Sequence, residues 1–257
     1  MSIETAADLE GITRAGRVVA LALDAMVRQI RPGMTTRDLD DIGAAVLQQH
    51  GARSAPQMVY GCPTVNLISV NDEIVHGLPG RRVLNPGDVV KIDVTANTAG
   101  YIADAATTVV LPEENSAGLD LSRASTVATR LRDCAVAAFQ AGFGEARAGR
   151  RVSQIGRAIE QKVTACGFHV LRELSGHGVG RTIHESPAVP NYFDPFQRDL
   201  LTEGLVLTIE PLISEHRTRV HGCDDGWTLK TANGCLAAHH EHTIVITNAE
   251  PMIVTAL

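Results

Sequence analysis

Two acidic residues in one strand-like stretch are the first candidates for chemistry. The apolar, β-branched run Val89–Val94 is followed by the turn-like Asn97–Gly100 and a second apolar run, which predicts a β-hairpin. A hairpin closing symmetrically on Thr98-Ala99 would place Asp93 opposite Asp104, with Cβ atoms about 4.5–5.5 Å apart. Because like charges among apolar neighbours are costly, either one carboxyl is protonated or a cation lies between them. A solvated edge hairpin is the alternative; we favour the cation.

Three further residues have side chains that commonly bind metals. His177 lies between two glycines, Glu210 precedes a proline that ends a predicted strand, and Glu241 lies in the last predicted strand. Four buried carboxylates need about two divalent cations for charge balance. One imidazole among oxygen ligands suits Mn²⁺, Fe²⁺, Co²⁺ or Zn²⁺. This set therefore predicts hydrolysis by a water held between two ions about 3.5–4 Å apart.

Helices and strands must position these residues. Apolar spacing predicts helices over about 5–30, from Thr35 or Thr36 to about 51, over 119–141 and over 153–167. Strand-like sequence occupies 55–75, the hairpin, 173–180, 205–211 and 240–247, and we expect residues 251–257 to pack.

An internal repeat suggests how the halves are arranged. The pattern Leu-x-x-Gly-x-Val-aliphatic-x-Ile-acid occurs at Leu84–Asp93 and again at Leu201–Glu210, and a weaker match links Ile42–Val46 to Ile155–Ile159. It predicts one catalytic domain, 1–257, built from two αβ halves of roughly 1–115 and 116–257. A pseudo-twofold relation would bring the two acids of the repeat together, whereas chance similarity of apolar strands would not.

Composition excludes several classes of protein. The chain has 257 residues, a formal net charge of −6 and 44% hydrophobic residues, which argues against a nucleic-acid partner and favours a globular domain. It contains no apolar run long enough for a membrane span and no signal-peptide pattern, so we expect a cytoplasmic protein without a membrane partner. The five scattered cysteines form no CxxC pair, so a structural zinc site is not expected.

The motifs, taken together and in order, resemble those of one enzyme family, the type I methionine aminopeptidases in their short bacterial form. The resemblance implies an α+β pita-bread (creatinase/aminopeptidase) fold, with two pseudo-symmetric αβ halves around a central curved antiparallel sheet. It runs from about Val59 to Thr247. The matching segments are His76-Gly77, Ile92-Asp93-Val94, Asp104, Gly176-His177-Gly178-Val179-Gly180, His184-Glu185, Thr208-Ile209-Glu210-Pro211, Asp225-Gly226-Trp227-Thr228 and Glu241-His242-Thr243.

The resemblance also implies roles for residues. Asp93 and Asp104 would hold one metal ion, His177 and Glu210 the other, and Glu241 would bridge the two. Glu210 would also move the proton. His76 and His184 would be catalytic and would bind substrate through hydrogen bonds.

The expected methionine pocket departs from the family pattern. Its substrate-binding residues would be His76, His184, Tyr60, Cys62, Leu67, Ile183 and Trp227. Val59 and Cys62 stand where the family commonly has tyrosines, Leu67 where it has cysteine, and Ile183 where it has phenylalanine. His239-His240 replaces a usual glutamine-aromatic pair, and Ile102-Ala103 a usual His-Gly pair. These departures bear on methionine preference rather than on hydrolysis.

The implied activity is removal of the initiator methionine from nascent proteins and peptides. The partners would be a peptide or nascent-chain N-terminus and, transiently, the ribosome, and we expect a monomer. Two alternatives stay open: an aminopeptidase of the same fold that prefers another first residue, and a non-catalytic peptide- or ribosome-binding relative.

Overall fold

A nine-stranded antiparallel sheet organises the computed structural model, which describes residues 1–113 and 126–257. The main path of the sheet is β1-β4-β5-β14-β9-β7-β8, with β2 paired to β4 and β15 paired to β14. Two three-stranded sheets, β13-β10-β6 and β11-β12-β3, complete the described strands. The strands are β1 (Arg53–Ser54), β2 (Leu67–Val70), β3 (Glu73–Val75), β4 (Val89–Thr98), β5 (Tyr101–Val110), β6 (His169–Val170), β7 (Ser175–Gly178), β8 (Glu185–Pro190), β9 (Val206–Ile209), β10 (Leu212–Ser214), β11 (Val220–Gly222), β12 (Leu229–Thr231), β13 (Ala237–His239), β14 (Glu241–Val245) and β15 (Met252–Ile253).

The helices cover the sheet in two pairs, with one short helix added. In the described residues they are α1 (Ala6–Gln29), α2 (Thr36–Gln49), α3 (Ala55–Tyr60), α4 (Val127–Glu145) and α5 (Val152–Ala165). One apolar core joins α1 and α2 to β2, β4 and β5, and a second joins α4 and α5 to β9 and β14. No helix within 1–113 or 126–257 is both long and apolar enough to cross a bilayer.

The first two helices begin as the sequence predicts. Thr5 caps α1 and Thr35 caps α2, and each threonine forms a reciprocal capping box, with Asp8 and Asp38 respectively. The core-facing part of α1 begins after its first turn, since Leu9 is exposed and Ile12 is buried.

Two predicted elements differ from the structure. Residues 55–60, expected in a strand-like region, form α3, because Ser54 Oγ accepts the backbone N–H of Gln57 and Pro56 lies in the first turn. The third helix, expected over 119–141, continues to Glu145 because Gly142 lets α4 approach Ile159 of α5, where a Cβ would lie 2.9 Å from Cγ1. The described part of this helix begins at Val127, and the expected start at 119 lies outside the described residues.

The order of the central strands is symmetrical. Hairpin strands β4 and β5 are followed by β14 and β9, so a twofold relation exchanges β4 with β9 and β5 with β14. The repeat in the sequence covers the start of β4 and the whole of β9. Each of these four strands carries or directly precedes one of the predicted acidic ligands, so the sheet brings both halves of the repeat to one place.

Candidate metal centre and substrate cavity

A cavity of about 310 Å³ lies over the central strands. All five predicted ligands line it: Asp93, Asp104, His177, Glu210 and Glu241. Each of these residues is at most 8% exposed. The predicted cluster of acids and imidazole therefore exists, and it is buried.

The hairpin register differs from the predicted one by two residues. Asp93 pairs with Ala106 and Asp104 pairs with Thr95, so the two aspartates are diagonal neighbours and do not lie directly opposite each other. The hairpin turns on Ala99 and Gly100, which have φ values of 51° and 86°. A turn on Thr98-Ala99 would need a β-branched residue at positive φ, which is costly, whereas glycine accepts this conformation. A shift of two keeps both carboxylates on one face of the sheet.

Threonines on strands of the central sheet orient two of the carboxylates. Thr95 Oγ1 donates to Asp104 Oδ1 at 2.9 Å, and Thr208 Oγ1 donates to Glu210 Oε1 at 3.1 Å. Thr243 Oγ1 accepts the backbone N–H of Asp104 at 2.9 Å and donates to its carbonyl oxygen at 2.8 Å. These contacts fix both the acids and the strand that carries one of them.

Glycines allow His177 to lie deep in the sheet. A Cβ at Gly176 would lie 2.6 Å from the carbonyl oxygen of Thr208, and one at Gly178 would lie 2.3 Å from that of Ser186. The ring Nδ1 of His177 lies 2.9 Å from the carbonyl oxygen of Gly178, and Nε2 lies 3.4 Å from Glu210 Oε1. Burial, and then the neighbouring His184, lowers the pKa of His177 to about 4. The ring is therefore neutral at pH 7, the form that binds metals.

The described protein groups leave some carboxylate oxygens of the acids without a hydrogen bond. Asp93 Oδ1 and Glu241 Oε1 are buried and have no hydrogen-bond partner among the described groups. Burial, and then the charges of Asp104 and Glu210, raises the pKa of Asp93 well above its usual range. Burial also raises the pKa of Glu210 and Glu241 well above the usual range and that of Asp104 to about 6. Orphaned carboxylate oxygens with unfavourable ionisation fit a site for divalent cations.

Two groups of three side chains in and beside this cluster are close enough together to hold a metal ion. Asp104, His177 and Glu241 offer ligand atoms within 4.8 Å of one another, and so do Glu210, His239 and Glu241. Asp93 belongs to neither group, although it lines the same cavity and its charge interacts with Asp104 and Glu210.

Two further histidines and a tyrosine line the same cavity. His184 Nδ1 is 2.6 Å from Tyr60 Oη, and its ring lies 4.4 Å from the ring of His177. His76 has a positive φ of 62°, a strained conformation for a residue other than glycine. Burial, followed by the nearby His184, lowers the pKa of His76 to about 4.

The apolar wall contains most of the predicted substrate residues. Tyr60, Leu67, Ile183 and Trp227 line the cavity together with Pro56, Val75, Leu174 and Leu212. The Trp227 loop is fixed by Asp225, whose Oδ1 accepts the backbone N–H groups of Trp227 and Thr228. Cys62 is buried but is not one of the described residues that line the cavity, and its Sγ lies 3.5 Å from Thr64 Oγ1.

The sequence identified His239 only as a departure from the family pattern, with no role at the metal centre, and gave no role to the three threonines. The sequence places His239 and Glu241 two residues apart, and it repeats a two-residue spacing in Asp93-Val94-Thr95, Thr208-Ile209-Glu210 and Glu241-His242-Thr243. Residues two apart on a strand share a face, so this spacing is a signal for side chains that support a site. Glu173 and Ser175 also line the cavity and had no comparable signal.

Comparisons with known proteins agree with this geometry. The family model of metallopeptidase family M24 matches residues 10–248. Methionine aminopeptidase 2 of Bacillus subtilis is 44% identical over 252 residues, which cover 97% of each chain. The crystal structure of a methionine aminopeptidase from Thermotoga maritima superposes with a TM-score of 0.92 at 34% identity, covering 100% of both chains. A prolidase from Pyrococcus furiosus, 20% identical with a TM-score of 0.73, covers 99% of this chain and 65% of its own and shares the fold. The pita-bread fold implied by the sequence resemblance is thus confirmed.

Proposed function

The chain belongs to metallopeptidase family M24, and from this premise we propose that it is a metal-dependent aminopeptidase that removes N-terminal methionine from proteins and peptides. One observation carries the proposal: a buried cluster of four acids and a neutral histidine adjoins an apolar wall within a single cavity. All the acids expected of a catalytic member are present, which argues against a non-catalytic binding relative.

Two divalent ions are the cofactor that we propose, drawn from Mn²⁺, Fe²⁺, Co²⁺ and Zn²⁺. Asp93 and Asp104 would hold one ion, His177 and Glu210 the other, and Glu241 would contact both. When bound, such a pair lowers the pKa of a water molecule and polarises the substrate carbonyl. The orphaned oxygens of Asp93 and Glu241 support this assignment, because they have no other described partner.

Glu210 is our candidate for the group that moves the proton. Its Oε1 accepts the hydroxyl of Thr208, which fixes the orientation of the carboxylate. The carboxylate can then accept a proton from the attacking water and deliver it to the leaving amine.

His184 and His76 are our candidates for substrate hydrogen bonds. If the hydroxyl of Tyr60 donates to Nδ1 of His184, the neutral imidazole carries its proton on Nε2. That N–H can then donate a hydrogen bond to the substrate carbonyl oxygen and keep it as negative charge develops on this oxygen. His76, which also lines the cavity, would be a second hydrogen-bond donor to the substrate.

The cavity suits the first residue of a chain. The buried acids attract a free α-amino group, and the wall of Leu67, Ile183 and Trp227 accepts an unbranched apolar side chain. Aliphatic residues at 67 and 183 specifically favour a second candidate, an aminopeptidase of the same fold that prefers a different first residue. A methylene more or less in such a wall changes selectivity by only about 1–3 kcal/mol.

A peptide panel tests the proposal directly. The metal-free protein, prepared with EDTA, would be reloaded with Mn²⁺ or Co²⁺ and assayed on peptides that differ only in a first residue of methionine, norleucine, leucine or alanine. We expect no turnover after chelation, recovery on reloading and the highest kcat/KM for methionine. Turnover indifferent to chelation would refute the metal proposal, and a preference for leucine would establish the second candidate.

Several expectations from the sequence stay predictions. They are a single domain with halves of roughly 1–115 and 116–257, a monomeric state, transient ribosome association and a cytoplasmic location. The symmetrical strand order supports the two halves, although the boundary between them lies outside the described residues.

A further inference from the structure

His239 is a buried imidazole with no role in the proposed aminopeptidase reaction. It is 1% exposed, and neither of its ring nitrogens has a hydrogen-bond partner among the described groups. A buried, unpaired imidazole costs free energy unless something absent from the protein itself satisfies it.

The ring of His239 points at two of the acids. Its Nε2 lies 3.6 Å from Glu210 Oε2 and 3.6 Å from Glu241 Oε2. This separation is too long for a hydrogen bond, which spans about 2.7–3.2 Å. Two ligands bound to one cation at about 2.0–2.2 Å and a tetrahedral angle lie about 3.4 Å apart. The two separations from Nε2 are therefore those of groups that share an ion, and the three residues offer ligand atoms within 4.8 Å of one another.

The backbone holds His239 in this position independently of its ring. Thr108 Oγ1 accepts the backbone N–H of His239 at 2.9 Å and donates to its carbonyl oxygen at 2.7 Å. Thr108 lies on β5, the strand that carries Asp104, and Glu241 pairs with Ala106 on the same strand. His239 and Glu241 thus contact β5 at positions two residues apart, Thr108 and Ala106, so their side chains lie on the same face.

We propose that His239 Nε2 is an additional ligand of the ion that Glu210 and Glu241 hold, so that this ion has two imidazole ligands. The inference rests on the proposed metal-dependent function and adds a ligand to it. Since His177 is the other imidazole, the two sides of the centre differ: Asp93 and Asp104 offer oxygen alone. The nitrogen-rich side prefers Zn²⁺, Co²⁺ or Fe²⁺ over Mn²⁺ more strongly than the aspartate side does.

Co²⁺ binding provides the test, because it reports ligands without reference to turnover. Metal-free wild type, His239→Gln and His239→Ala would be titrated with CoCl₂ by calorimetry and visible absorption. Imidazole ligands would be counted by X-ray absorption at one equivalent of Co²⁺. We expect the wild type to show two imidazoles. Both variants should show one and bind Co²⁺ at least about tenfold more weakly.

A matched control lies one residue away. His240 packs edge-on against the rings of Phe139 and His242, so His240→Gln should keep the wild-type imidazole count. The wild-type count needs no variant, so a folding defect in His239→Ala does not remove the test.

The outcomes separate the two proposals. One imidazole in the wild type, or weaker binding in His239→Gln with an unchanged count, overturns the ligand assignment and leaves the aminopeptidase proposal intact. A wild type that binds no Co²⁺ and does not hydrolyse the methionine peptide overturns both.

Discussion

The acidic centre and the apolar wall share one cavity but are built differently. Strands of the central sheet supply most of the centre, and threonines on those strands hold Asp104 and Glu210 in place. Part of the wall lies on short or irregular segments, such as α3 with Tyr60 and the loop with Trp227, whereas Leu67 pairs with Asp93 from β2. Tyr60 is 49% exposed, whereas Glu241 is 2% exposed.

We infer from this difference that the acidic centre determines catalysis and that the apolar wall determines substrate preference. A buried carboxylate in a paired strand cannot move without disturbing the sheet, so changes in the centre should affect metal binding and kcat. A side chain on a short helix or loop can change size with less effect on its neighbours, so changes in the wall should affect KM and the choice of first residue. Three substitutions test this division.

Glu210→Gln should have the largest effect. It keeps the shape of the side chain but removes the carboxylate proposed to take the proton and to help hold an ion, so we expect kcat to fall by about 10³-fold. Steady-state kinetics on a methionine peptide measures the loss, and Glu203→Gln on the exposed surface is the matched control. Residual activity within tenfold of wild type would show that another group moves the proton.

Asp104→Asn should stabilise the metal-free protein above about pH 6. Burial raises the pKa of Asp104 to about 6, whereas the unfolded chain ionises near 3.8. Between these two pKa values the folded state binds more protons than the unfolded state. The free energy of unfolding of wild type therefore falls as pH rises through this range. From pH 4 to pH 7, the free energy of unfolding of the variant should therefore rise by roughly 2–3 kcal/mol relative to that of wild type.

Urea unfolding of both EDTA-treated proteins at these two pH values measures the difference in free energy of unfolding. Comparing each variant with wild type cancels the buried histidines, whose lowered pKa values act in the opposite direction. Exposed Asp199→Asn is the control. A difference that does not grow with pH would contradict the buried-charge explanation.

Ile183→Ala should have the smallest effect and a different signature. Removing a buried part of the wall should lower kcat/KM for a methionine peptide by roughly tenfold, mainly through KM. The control is Val59→Ala on α3, which is 46% exposed and is not among the described residues lining the cavity. A loss confined to kcat would mean that the wall also positions the reacting groups.

Local signals in the sequence predicted much of the fold. Apolar spacing located α1, a capping threonine and apolar spacing located α2, and β-branched runs located the hairpin. The residue types of Asp93, Asp104, His177, Glu210 and Glu241 were sufficient to predict one acidic cavity. These predictions succeed because caps, turns and alternating apolar residues act over a few positions of the chain.

Contacts between distant segments decided the rest. The turn conformation at Ala99 and Gly100 moved the hairpin register by two residues, and packing of α4 on α5 carried a helix past two glycines. The pairing of β13 with β10, in which His239 lies opposite Leu212, brings His239 to Glu210. Residue types and short-range spacing thus determined which chemistry is available, because they depend on neighbours in the chain. The tertiary structure decided which atoms meet, because approach across a sheet depends on register and packing that no single segment encodes.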